Sequence, residues 1–60
     1  MDDERSVTIW LRWPSETWWV IERSYPLRYA RDVLGVGLDE SERGGRVYRA
    51  FERGTDPNAT

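Results

Sequence analysis

Residues 7–23, V-T-I-W-L-R-W-P-S-E-T-W-W-V-I-E-R, hold all four tryptophans of this 60-residue chain. Any fold open to it has to find places for those rings. Val7, Ile9, Leu11 and Trp13 alternate with Thr8, Trp10 and Arg12. Alternation with period two sends the two sets to opposite faces of a strand. β-branched and aromatic side chains suit such a pleated, half-buried surface. Trp18, Trp19, Val20 and Ile21 are consecutive, so the second run is apolar on both faces. Pro14 pre-sets φ at the first central position of a turn. We therefore expect a β-hairpin with strands over 7–13 and 17–23.

Its register is open. A three-residue loop pairs Leu11 with Trp19 and Ile9 with Ile21. A two- or four-residue loop exchanges the faces of the second strand, because a slip of one residue does so. Trp18 and Val20 then join the face of Ile9, and Trp10 meets Trp19 and Ile21 on the other. Glu16 is a poor occupant of the left-handed position that a three-residue loop requires, which favours the four-residue loop. In either register both faces carry a tryptophan and an aliphatic residue. A short helix covers one face, so the other should meet a second molecule, stay exposed, or be covered by the C-terminal segment.

The remaining elements follow in order. Residues 1–6 form an acidic start that we expect to be flexible. Ser24 reads as an N-cap and Pro26 as a first-turn residue, opening a helix over 25–34. Leu27, Ala30 and Leu34 make its apolar stripe, and Gly35 its left-handed end. Residues 35–45 read as a loop by their glycines. Residues 46–53 suit a third strand, with Val47 and Phe51 on one face; a helix ending at Gly54 is the alternative. Residues 54–60 carry no large apolar side chain and read as a disordered tail. The expected fold class is α+β: a small antiparallel sheet built on an N-terminal Trp-rich hairpin, one short helix packed on it, and a third strand, in the order ββαβ. A chain of this length makes one small domain.

Composition narrows the function. With no cysteine and no histidine, the usual nucleophile–base pairs and zinc ligand sets are missing. Glu22 is the one carboxylate inside an apolar run, and a solvated or Arg-paired glutamate is its ordinary reading. We expect no catalysis, no cofactor and no metal. The net charge is −2, against the basic balance of a duplex-DNA binder. All nine basic residues are arginines, a bias that GC-rich coding explains. Arginine nevertheless stacks on indoles and forks onto carboxylates as lysine does not. No run approaches the length of a membrane span, and the acidic start is unlike a signal peptide, so a cytoplasmic location is expected.

Interface cores are enriched in Trp, Tyr and Arg. The leading expectation is therefore a small protein-binding module of the inhibitor, antitoxin-like or accessory-subunit kind, binding another protein, itself as a homodimer, or both. Its candidate binding residues are Trp10, Arg12, Trp18, Trp19, Arg23 and Tyr48. The alternative is a single-stranded nucleic-acid binder, with aromatic side chains stacking bases and arginines meeting phosphates. A helix-turn-helix reading around residues 30–36 fails on the acidic, glycine-ended stretch that follows it.

Overall fold

Val7, Ile9 and Leu11 are all buried, as is Thr8 between them, so the first strand lies inside the sheet with a neighbour on each side. In the computed structural model, which describes residues 4–59, the elements are β1 (Ser6–Arg12), β2 (Val20–Pro26), α1 (Leu27–Asp32), β3 (Ser41–Arg43) and β4 (Arg46–Glu52). They form one sheet in the order β2-β1-β4-β3, antiparallel throughout. The chain is thus an α+β fold built on an N-terminal hairpin, with β3 added to the expected order.

Several expectations change in detail. The first hairpin turns through residues 13–19, and β2 starts at Val20, not at residue 17. Near the turn Leu11 pairs with Val20 and Trp10 with Ile21, the register of the four-residue loop. A bulge then shifts the pairing so that Ile9 faces Arg23. The strand runs on through Tyr25 and Pro26, so the helix begins at Leu27 and is only six residues long. Ser24 therefore caps nothing: its hydroxyl meets that of Thr8, its cross-strand neighbour, at 2.8 Å.

The expected loop 35–45 contains β3. Gly44 and Gly45 both have positive φ, 59° and 79°, and Arg43 pairs with Arg46 across them. This is the two-residue hairpin turn whose left-handed central positions glycine occupies without steric cost. The expected tail is not free either. Past a left-handed Gly54 (φ 91°) the chain turns, with Thr55 N–H donating to Glu52 C=O at 3.0 Å and Ala59 N–H to Asp56 C=O at 3.1 Å. The acidic start is shorter than expected, since Ser6 belongs to β1 and Arg5 pairs with Glu52 at 2.8 Å. Residues 1–3 and Thr60 lie outside the described residues.

Cross-strand neighbours share a face, so the register sorts the side chains. Val7, Ile9, Leu11, Tyr25, Tyr48 and Ala50 look toward the helix. The core is Val7, Ile9, Leu27, Ala30, Val36 and Ala50, with Tyr25, Leu34 and Tyr48 packed around it. The opposite face carries Thr8, Trp10, Arg12, Ile21, Val47, Arg49 and Phe51.

Candidate functional site

The opposite face is where half of the sequence-predicted binding residues lie, and the chain covers it itself. Trp19, at the end of the 13–19 loop, folds onto that face and is only 8% exposed. Its ring meets Phe51 edge-on, with centroids 5.3 Å apart and planes at 79°, a favoured geometry for two rings with opposed edge and face charge. Asn58 fixes it from the C-terminal segment. Trp19 N–H donates to Asn58 Oδ1 at 2.7 Å, and Asn58 Nδ2 donates to Trp19 C=O at 2.8 Å. One amide side chain thus satisfies both backbone groups of a buried residue.

Arg12 completes the cover. Its guanidinium stands 5.2 Å from the centre of the Trp19 ring. It also donates to Glu16 C=O at 3.0 Å and pairs with Glu40 at 3.2 Å. Arg12 therefore pins the loop to the sheet. Arg49 lies over Phe51 at 4.6 Å and donates through Nε to Leu38 C=O at 2.8 Å. Trp10 is half-buried between Arg49 and Ile21, its cross-strand neighbours, and its Nε1 is buried without a hydrogen-bond partner.

The six candidates therefore do not converge. Trp10, Arg12 and Trp19 form a covered cluster on one face. Tyr48 is half-buried on the other, against the helix-side core. Arg23 is exposed on β2, paired with Ile9 on that same helix side. Of the four candidate rings, Trp18 alone stands well clear, 65% exposed.

Trp18 has neighbours that the candidate set omitted. Ile21 is 60% exposed and Val20 44%, so exposed apolar side chains continue from the loop onto both faces of the first residues of β2. Trp13 is also partly open, with the Arg46 guanidinium 5.2 Å from its ring. The signal was present in the sequence: four consecutive apolar residues, 18–21, on a strand that cannot bury both faces. What was not visible is that β2 is an edge strand.

That edge is guarded. Beyond Ile21 it carries the bulge, the charged pair Glu22–Arg23, and Pro26 at its end. Bulges, charges and proline are the devices that keep an edge from adding another strand. Contact at this end of the sheet thus falls to side chains rather than to main-chain ladder bonds. Among the described residues no helix is long and apolar enough to cross a membrane. No protein-family model, curated protein or solved structure matches the chain, and the meaning of its surface rests on its own geometry.

Proposed function

We propose that the chain is a small, non-enzymatic protein-binding module of the inhibitor, antitoxin-like or accessory-subunit kind. It docks through the exposed apolar end of β2 and the loop before it, Trp18 and Ile21 with Val20 at the strand edge, and a second copy of the chain is among its partners. One observation carries the reading: a tryptophan and an isoleucine, each more than half exposed, stand three residues apart where the loop enters an edge strand. Aromatic anchors of this kind dominate binding energy when a partner desolvates them. The absence of cysteine and histidine from the sequence supports the non-enzymatic half of the proposal.

Nucleic acid is the weaker alternative. Of the rings that would stack bases, Trp19 is already under Arg12 and Tyr48 is packed against the core, while Arg49 lies over Phe51. Those arginines are bonded to the protein's own carbonyl groups.

Light scattering on a dilution series tests the proposal. Wild type is expected to exceed the 7.1 kDa monomer mass at high concentration and to approach it on dilution. Trp18→Ala with Ile21→Ser is expected to stay monomeric throughout with an unchanged melting temperature. Monomeric wild type at every concentration, with no protein recovered through this surface, overturns it.

A further inference from the structure

The helix side of the sheet holds a cleft of about 240 Å³. Ile9 and Val36 form its apolar floor, and Tyr25 and Tyr48 stand at its sides. Tyr25 is stiffened by stacking on Tyr29, with centroids 5.2 Å apart and planes at 18°. Glu22 lines one end and Arg43 the other. These two come from β2 and β3, the opposite edges of the sheet. Three strand spacings separate their backbones, about 14 Å, and among the described residues no ion pair joins them.

The two charges differ in what they already do. Arg43 is committed: Nη1 donates to Leu34 C=O at 2.8 Å and Nη2 to Gly35 C=O at 3.2 Å. It satisfies carbonyl groups just past the end of α1, which the short helix leaves without partners. Glu22 has no ion pair or hydrogen bond among the described residues. It is also the residue that the bulge adds. Ile9 faces Arg23 and Trp10 faces Ile21, so Glu22 is the extra one. A bulge sets two residues of one strand opposite a single residue of its neighbour and re-aims a side chain. Glu22 follows Val20, which faces the helix side, by two residues and lines the cleft with Ile9, while the bulge shifts the pairing of Arg23 and the residues after it.

We propose that this cleft receives a lysine side chain from a partner protein. The aliphatic stem lies on Ile9 and Val36, the tyrosine rings flank it, and the ammonium donates to the Glu22 carboxylate. The match is one of charge and shape: an unpaired carboxylate at the end of a tyrosine-sided apolar trough, with the one cation of the cleft spent on carbonyls. A long-stemmed ammonium is the group that buries its methylenes while keeping its charge at an edge, and aromatic faces favour a cation. The inference rests on the protein-binding reading and adds to it what the partner must present.

The test is a two-dimensional amide NMR titration of the full chain with N-acetyl-lysine methylamide. N-acetyl-norleucine methylamide and N-acetyl-glutamate methylamide are the controls. The lysine probe is expected to shift the amides of Ile9, Glu22, Tyr25 and Tyr48 in a saturable way. The norleucine and glutamate probes, and the lysine probe on Glu22→Gln, are expected to bind about fivefold more weakly or worse, the loss expected for one charge-assisted contact. Glu22→Gln is checked for an unchanged spectrum elsewhere. No saturable shift with lysine, an equal response to norleucine or glutamate, or undiminished binding by Glu22→Gln overturns the proposal. Because the probes never touch Trp18, such a failure leaves the light-scattering result standing, and loss of self-association leaves this one standing.

Discussion

Asn58 holds more of the second sheet face in place than its size suggests. Its amide bonds both backbone groups of Trp19, and its own N–H donates to Asp56 Oδ1 at 2.9 Å. Asn58→Ala would leave a buried N–H and C=O without their partners, at a cost of about 1–2 kcal/mol. At roughly 4–8 °C per kcal/mol for a domain of this size, the melting temperature should fall by about 5–15 °C. Near-ultraviolet circular dichroism of the tryptophans would record both the melt and the loosening of Trp19. Removal of residues 54–60 should do at least as much. This is also where sequence reading fell short. The composition of the last segment, without a large apolar side chain, pointed to a disordered tail, and nothing in it signalled that an amide from residue 58 meets residue 19. Arg12 was likewise recognised as a partner for indole, and the indole it found is the chain's own.

At the scale of elements, the glycines decide where the chain reverses. Gly35 has φ 71°, and a Cβ there would stand 2.5 Å from Arg43 Nη2. Gly35→Ala therefore meets both a left-handed backbone penalty and a clash, and should destabilise by more than about 1 kcal/mol. Arg43→Ala should cost a similar amount through the two lost carbonyl bonds. The double variant should cost less than the sum, since removing Arg43 also removes the obstacle; urea denaturation of the four proteins measures the difference. The β3–β4 turn makes a contrasting prediction. Gly44-Gly45→Asn-Gly should be tolerated within about 0.5 kcal/mol, and Ala-Ala should not, because both positions need positive φ. Here the sequence was legible and misweighed: Gly-Gly between short runs is a hairpin signal, yet the glycines of residues 35–45 were read only as those of a loop. The helix was overdrawn for the opposite reason. Ser24 and Pro26 have the residue types of a helix start, but their pairing with Thr8 and Ser6 takes them into the strand first.

For the molecule as a whole, the period-two pattern of residues 7–13, the apolar run 18–21 and the stripe Leu27–Ala30–Leu34 were enough to place a hairpin with two apolar faces and a helix against one of them. It was not enough to show which tryptophans remain outside, because that depends on the order of strands in the sheet. β1 gains β4 on its second side, and residues 13–19 then fold over the face opposite the helix. Two of the expected binding residues, Trp10 and Trp19, are largely used up in that cover, whereas Trp18 is left at the surface. Self-association through Trp18 and Ile21 should be driven by apolar burial, so it should change little between low and moderate salt. Binding to oligonucleotides, if it were the true activity, would weaken steeply over the same range. Fluorescence anisotropy with labelled protein and labelled oligonucleotide separates the two.

The strand order also has a temporal side. Val7 pairs with Glu52, so β1 cannot gain its second neighbour until residues 46–52 have left the ribosome. Before then the nascent product is a two-stranded ribbon with bare indoles, the kind of species that aggregates or recruits chaperones. Native pairing of β1 must therefore wait for β4 to emerge, and copies terminated before β4 should be insoluble rather than merely weak.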